Sequence, residues 1–369
     1  MPKLKLAYFG TPSFSATLLE KLILDKSLGI EIALVVTQPD KPVGRKMIMT
    51  PSPVKIIAQK YNIPVFISLD TLHVTRSALH EVDLCLVYAY GFKQLIPSDL
   101  LKAPKIQFVN IHPSLLPLYR GSSPIAYPIL LGENKTGVSL FVMDEKMDHG
   151  PIIAQEEMEI TLTDVRADME TKLTNLGFEM MKKLLTSVRN NHGCSLQTIQ
   201  QNHSLATHSP YMTKQDGFIP LPVLQKALKN EPLTLQELPH IIQKYLLKYK
   251  SQILNPKSQT NPNLEIQNSK QFRVYDLEFR VSPKIIYDFW RGMHPWPGLW
   301  TLIQPPRLDK FHDDRTAAVK LGEKRLKIID VEYHVETGHA PSLRIKTVQL
   351  EGKSPTDFPT FQKAYKVFE

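Results

Sequence analysis

The sequence predicts an α/β fold. A Rossmann-like open, mostly parallel sheet with helices on both faces is expected first, then a small C-terminal β-barrel that is OB-like. Three observations carry this. Over the first 190 residues, short apolar runs alternate with segments of helical spacing, as in strand–helix–strand units. Residues 190–208 are polar and rich in His, Gln, Asn and Ser, and read as a linker. From Phe272 onward, short alternating runs separated by polar turns take over.

Taken in order, Leu4 to Phe9 is an apolar strand ending at Gly10-Thr11-Pro12, and Ser15 to Leu24 has helical spacing. Ile32 to Thr37 is the next strand. Pro53 to Tyr61 is a helix with proline at its start. Pro64 to Ile67, the wholly apolar Leu84 to Tyr88, Phe108 to Ile111 and Ser139 to Met143 are further strands. Residues 166–186 place Met169, Leu173, Leu176, Met180 and Leu184 on one helical face, where methionine fills the core. In the second part, 235–250 is expected to be helical and 251–270 a polar loop. Phe272 to Phe279, Trp300 to Ile303, Arg325 to Tyr333 and Leu343 to Leu350 are expected barrel strands. No internal repeat is apparent.

Composition narrows the function classes. The 369 residues are 42% hydrophobic and 22% charged, ordinary for a globular protein. The longest apolar runs fall short of a membrane span, and the first residues lack a signal-peptide pattern. A cytoplasmic protein with no membrane partner is expected, as a monomer. Cys85 lies in an apolar strand and Cys194 in a polar stretch; two cysteines make no disulfide framework. The net charge of +9 is uneven: residues 1–208 hold 21 Lys/Arg against 19 Asp/Glu, and residues 209–369 hold 24 against 17. A basic second half points to a polyanion, nucleic acid first. Only Gly10 follows the first strand, so the dinucleotide fingerprint is missing and no nicotinamide dinucleotide is expected; no Walker sequence occurs either.

The chemistry concentrates in NIHPSLLPLYRG, Asn110 to Gly121, and MDHGPII, Met147 to Ile153. Asn110 and His112 stand at i and i+2 at a strand end, where alternate side chains project to one side, and Pro113 ends the strand. In an open parallel sheet, that end is where ligands bind. An amide donates to a developing oxyanion, an imidazole shuttles a proton, and a carboxylate stabilises the charged imidazole. Asp148 is the first candidate for that carboxylate, and Asp144, in the same loop, competes with it. Taken singly, Asn110 reads as a turn cap, His112 as a structural histidine and Asp148 as a turn residue before glycine. Their combination is equipment for acyl transfer or hydrolysis. Ser114 lacks the Gly-x-Ser-x-Gly elbow of a serine hydrolase. Zinc through His112, Asp148 and His149 is disfavoured, because asparagine is a poor ligand and no His-Glu-x-x-His helix is present; no metal is expected.

The chain resembles the folate-dependent formyltransferase family over nearly its whole length. The resemblance rests on FGTPSF (Phe9 to Phe14), VVTQPDKPVGRK (Val35 to Lys46) with SPVK (Ser52 to Lys55), and YAYGFKQLIP (Tyr88 to Pro97). It rests further on NIHPSLLPLYRGSSPI (Asn110 to Ile125), HPWPG (His294 to Gly298) and VQLEGK (Val348 to Lys353), all in the family's order. The likeness implies a catalytic domain over 1–190, a linker over 191–208 and an OB-like tRNA-binding domain over 209–369, with an insertion at about 221–286. It implies 10-formyltetrahydrofolate as formyl donor and initiator methionyl-tRNA as acceptor. Asn110, His112 and Asp148 match the family's catalytic residues. Ser114, Leu115, Leu116 and Pro117, with Tyr88, Tyr90, Gly91 and Asp144, match its folate-binding positions, and Arg45 its tRNA-contacting loop. Met47-Ile48-Met49 depart from that loop's usual glycine and lysine. Three other readings stay open: the same chemistry on a small amine (a purine-precursor ribonucleotide or a nucleotide-linked amino sugar), hydrolysis of the formyl donor, or RNA binding without catalysis. Gly10 and Gly91 are expected to serve backbone geometry.

Overall fold

The computed structural model describes residues 3–44, 46–67, 77–91, 95–190, 196–254, 284–303, 323–335 and 341–368. The chain divides into two compact units: residues 1–125 with 134–211, and residues 126–133 with 212–369.

The first unit is built on a seven-stranded sheet. Its strands are β1 (Leu4–Gly10), β2 (Ile30–Val36), β5 (Val65–Phe66), β6 (Leu84–Tyr88), β7 (Gln107–His112), β9 (Lys135–Val142) and β10 (Ile152–Glu159), in the order β10-β9-β7-β6-β1-β2-β5. β5, β2, β1, β6 and β7 run parallel, while β9 is antiparallel to both of its neighbours. The mostly parallel sheet therefore matches the expectation, with an antiparallel addition at one edge. β3 (Lys41–Val43) and β4 (Ile48–Thr50) form a separate exposed hairpin. The short β8 (Arg120–Gly121) and β11 (His208–Ser209) pair in parallel.

Both faces of the sheet are covered, which explains why β1 and β6 are apolar at successive positions. Ala7, Phe9, Cys85, Val87 and Phe108 face Leu79, Leu100 and Leu101 on one side. The rings of Phe9 and Phe108 meet edge-to-face at 5.3 Å, a geometry worth about 0.5–1.5 kcal/mol beyond the area buried. On the other side, the Tyr8 hydroxyl meets Ser15 of helix Ser13–Leu24, and Tyr88 Oη lies 2.9 Å from Thr174 Oγ1 of helix Arg166–Asn190. Helix Pro53–Lys60 starts where Ser52 Oγ accepts the Lys55 N–H at 3.0 Å, with proline at its first position. β1 lies between β2 and β6, so the chain order reverses there and opens a crevice beyond the carboxyl ends of β1 and β6.

The second unit carries a four-stranded antiparallel sheet, β12 (Leu299–Ile303), β13 (Lys324–His334), β14 (Ser342–Leu350) and β15 (Thr356–Asp357), in chain order. Leu326, Ile328, Leu343 and Ile345 point inward, while Arg325, Lys327, Arg344 and Lys346 are exposed between them, giving one apolar face and one solvent face rich in basic residues, on which Lys346 pairs with Glu332. In helix Lys284–Met293, buried Asp288 is held by Lys284 Nζ at 2.5 Å and Arg291 Nη2 at 2.6 Å. The expected strand Phe272 to Phe279, the polar loop beyond residue 254 and Cys194 lie outside the described residues. Helices Leu221–Leu228 and His240–Leu254 fall within the expected insertion.

Candidate active site

β7 delivers Asn110 and His112 to the carboxyl end of the parallel sheet, in register with Val87 of β6 and with Phe141 and Ser139 of β9. Asn110 is half-buried. Its Nδ2 lies 4.0 Å from Met143 Sδ, a weak acceptor, and no oxygen partner is found among the described residues. The amide N–H is therefore still available to a ligand.

His112 is 4% exposed. Its Nε2 lies 3.1 Å from the Tyr119 carbonyl oxygen. A carbonyl only accepts, so Nε2 carries the proton and Nδ1 holds the lone pair in the neutral ring. Nδ1 lies 3.7 Å from Asp148 Oδ2, beyond hydrogen-bond length but close enough for a direct charge interaction once Nδ1 is protonated. The Tyr119 carbonyl also accepts from Ser209 Oγ at 2.9 Å, and Thr207 Oγ1 accepts the Tyr119 N–H at 2.9 Å. The imidazole is thus oriented by a residue that the 207–209 segment holds in place.

Asp148 has φ +48°, in the left-handed region, and its Oδ2 accepts the Gly121 N–H at 2.7 Å. Gly121 is at φ +113°, and a Cβ there would stand 3.0 Å from the Ser209 carbonyl oxygen, so glycine suits this position on both counts. Asp144 goes elsewhere. Its Oδ2 pairs with His149 Nδ1 at 2.6 Å and its Oδ1 accepts the Lys146 N–H at 3.0 Å. Of the two carboxylates, Asp148 is the one that the fold puts beside His112.

Three residues at this site carry no sequence signal of their own, although Arg120 lies within NIHPSLLPLYRG. Arg120, 5% exposed, donates from Nη2 to Gln201 Oε1 at 2.6 Å and sits 2.9 Å from His203 Nδ1. Burial pulls its guanidinium below the usual value, while the charges of Asp148 and Asp144 act in the opposite sense. The His203 ring stacks on His149 with centroids 3.8 Å apart. Gln201, 5% exposed, comes from the stretch expected to be linker.

The remaining expected positions divide into core and rim. Tyr88 is fully buried, and burial raises its phenol well above the usual range; Tyr90 is 8% exposed and raised for the same reason. Thr11 Oγ1 donates to the Tyr90 carbonyl oxygen at 2.6 Å, closing the ends of β1 and β6 on each other. Gly91 is exposed at φ +78°. Ser114 spends its hydroxyl on the Leu118 carbonyl at 2.7 Å, and Ser139 Oγ donates to the Ser114 carbonyl at 2.6 Å. Leu116 receives Gln155 Nε2 at its carbonyl and gives its N–H to Ser139 Oγ. Leu115 is half-buried, and Leu116 and Pro117 are buried. The segment therefore offers apolar shape, with its polar atoms already committed. Arg45 lies outside the described residues. Among the described residues, no group of three or more His, Cys, Asp or Glu side chains is disposed to hold a metal ion.

Comparison with known proteins agrees with this architecture. Residues 4–185 match the family described as formyl transferase, and residues 275–366 match the formyl transferase C-terminal domain. A methionyl-tRNA formyltransferase of Halalkalibacterium halodurans is 31% identical over 356 residues, 95% of this chain and 91% of the relative. The chain belongs to the formyl transferase family. A methionyl-tRNA formyltransferase of Staphylococcus epidermidis is 37% identical over 229 residues, 61% of this formyl transferase and 71% of the relative. Among solved structures, a 4-N formyltransferase from Francisella tularensis superposes with a TM-score of 0.50 at 18% identity, covering 82% of this chain and 93% of its own, which shows a shared fold.

Proposed function

We propose that this formyl transferase moves the formyl group of 10-formyltetrahydrofolate to the α-amino group of methionyl-tRNA, making the formylmethionyl-tRNA used in translation initiation. The observation that carries the chemistry is the His112 ring. Its Nε2 is fixed as a donor to Tyr119, and its Nδ1 lone pair is set 3.7 Å from the Asp148 carboxylate, at the strand end where Asn110 keeps a free amide N–H.

Bound folate supplies a formyl carbon open to attack by an amine. As the C–N bond forms, Asn110 Nδ2 donates to the oxygen that gains charge. His112 Nδ1 takes the proton that the amine loses, and Asp148 stabilises the imidazolium. The same Nδ1–H then returns the proton to the departing folate nitrogen, leaving the ring neutral. Tyr90 and half-buried Leu115, at the β6 and β7 ends, would give apolar walls to a flat heteroaromatic donor, and both tyrosine phenols stay protonated.

Methionyl-tRNA is favoured over a small amine by the similarity of at least 31% to relatives of that name, and by the exposed Arg325, Lys327, Arg344 and Lys346 on β13 and β14. No helix among the described residues is long and apolar enough to cross a membrane. The test is a formyl-transfer assay with 10-formyltetrahydrofolate, comparing methionyl-tRNA with glycinamide ribonucleotide and with a nucleotide-linked amino sugar. Transfer to methionyl-tRNA alone is expected. Preferred transfer to a small amine, or formate release without an amine, overturns the reading.

A further inference from the structure

Asp148 sits in a backbone conformation that a β-carbon disfavours, at φ +48°, and its own carbonyl and that of Gly150 are held by one side chain. Gln201 Nε2 donates to the Asp148 carbonyl at 3.0 Å and to the Gly150 carbonyl at 2.7 Å. An amide nitrogen has two hydrogens, so both are spent here. Its Oε1 accepts Arg120 Nη2 at 2.6 Å, which fixes which end of the amide faces the loop. Arg120 lies in β8, directly before Gly121, whose N–H binds the Asp148 carboxylate. The Arg120–Gln201 pair therefore grips the backbone of Asp148 while the next residue of β8 grips its side chain.

The chain spends a great deal on this arrangement. Two polar side chains, each 5% exposed, are taken out of water, and Arg120 Nε is left without a hydrogen-bond partner among the described residues. A buried N–H without a partner is unfavourable for folding, so stability alone is a poor reason for the pair. Its geometric effect is specific: it fixes the carbonyl of the one residue whose carboxylate faces His112 Nδ1.

We propose that Gln201, oriented by Arg120, is a positioning residue for formyl transfer: it holds the Asp148 backbone so that the carboxylate stands beside His112. The proposal rests on the assigned role of Asp148. Gln201 touches no reacting atom, so its loss acts only through Asp148, and it acts on the chemical step and not on substrate binding.

The experiment is a double-mutant cycle with kcat and KM measured for both substrates. Gln201→Leu is expected to lower kcat by about 10–100-fold, the size of effect that an ångström-scale misplacement produces, with both KM values within about twofold of wild type. In an Asp148→Asn background, the same substitution is expected to change kcat by less than about twofold. Gln201→Glu serves as a second variant. It keeps the volume and the Arg120 bond but sets a carboxylate oxygen against two carbonyls, and it is expected to reproduce the loss even if Gln201→Leu fails to fold. Equal losses in both backgrounds, a change confined to KM, or folded variants with wild-type kcat overturn the clamp. If Asp148→Asn itself retains wild-type kcat, the assignment of Asp148 falls, and the clamp with it. Loss with Asp148→Asn but not with either Gln201 variant overturns the clamp alone.

Discussion

His112 Nδ1 and Asp148 Oδ2 stand 3.7 Å apart, while Asp144, four residues earlier in the same loop, is turned away to His149 at 2.6 Å. The two carboxylates are chemically alike and differ in what they face. Asp148→Asn keeps the Gly121 N–H bond through its amide oxygen but removes the charge beside Nδ1. It is expected to lower kcat by about 10²–10⁴-fold, the range of a lost general acid–base function, with little change in KM. Asp144→Asn is expected to cost far less. Steady-state kinetics on both variants decides; a larger loss for Asp144→Asn contradicts the assignment.

Asn110 offers the other half of the machinery. Among the described residues its amide nitrogen meets only the Met143 thioether, at 4.0 Å, so Asn110→Ala removes no strong bond between them. The fold is expected to survive, with turnover down by about 10²–10³-fold, the size measured for a lost oxyanion donor. Asn110→Asp keeps the shape and places a negative charge where one develops, so it is expected to be worse than alanine. Turnover within about threefold of wild type for either variant contradicts the oxyanion role.

Gly10 closes β1 against the start of helix Ser13–Leu24. A Cβ there would stand 2.0 Å from Ser15 Oγ, 2.8 Å from Tyr8 Cε1 and 3.1 Å from the Tyr88 carbonyl oxygen. Ser15 could swing aside only by giving up its bond to Tyr88 O at 2.8 Å and its contact with the Tyr8 hydroxyl. Gly10→Ala is expected to cost about 1–3 kcal/mol, as overpacking of a close-packed core does. Urea unfolding followed by tryptophan fluorescence and circular dichroism measures it, and an unchanged midpoint would show that the backbone yields instead.

How far the sequence revealed this molecule depended on how local each signal was. β6 was legible because five successive buried residues, Leu84 to Tyr88, admit a strand covered on both faces. β10 was not: Glu156, Glu157 and Glu159 break its apolar pattern, and it is held by pairing with β9 at the sheet edge, where Lys183 meets Glu156 and Lys135 meets Glu157. The pair β8 and β11 could not be read at all, since two residues on each side carry no periodicity and their partner lies far along the chain. At the site, Asn110 and His112 announced themselves by their spacing on one strand. The choice between Asp148 and Asp144 depended on a left-handed φ, a glycine N–H from β8 and a histidine partner for the rival. Gln201 sits 53 residues from Asp148 in a stretch whose composition resembles a solvated linker, and only the fold shows that it is buried.

The stacked pair of His149 and His203 gives a pH dependence whose sign can be worked out. His203 is exposed, and partial desolvation is the largest cause that lowers its value from 6.5; the nearby His149 and Arg120 lower it further, and Lys146 adds to this while Asp144 opposes. Its Nδ1 also faces the Arg120 guanidinium at 2.9 Å, which needs a lone pair there. A histidine with a depressed folded value binds its proton more readily in the unfolded chain. Its contribution to stability is therefore fully present above about pH 6.5 and is lost as the pH falls from there toward the folded value. His203→Asn keeps an oxygen acceptor for Arg120 and removes the titration. Wild-type Tm is expected to drop more steeply than that of the variant between about pH 7.5 and pH 5.5, in parallel thermal scans at fixed ionic strength. Parallel slopes would mean that His203 takes up its proton in the folded state as easily as in the unfolded one, and that the stack with His149 exerts no electrostatic control.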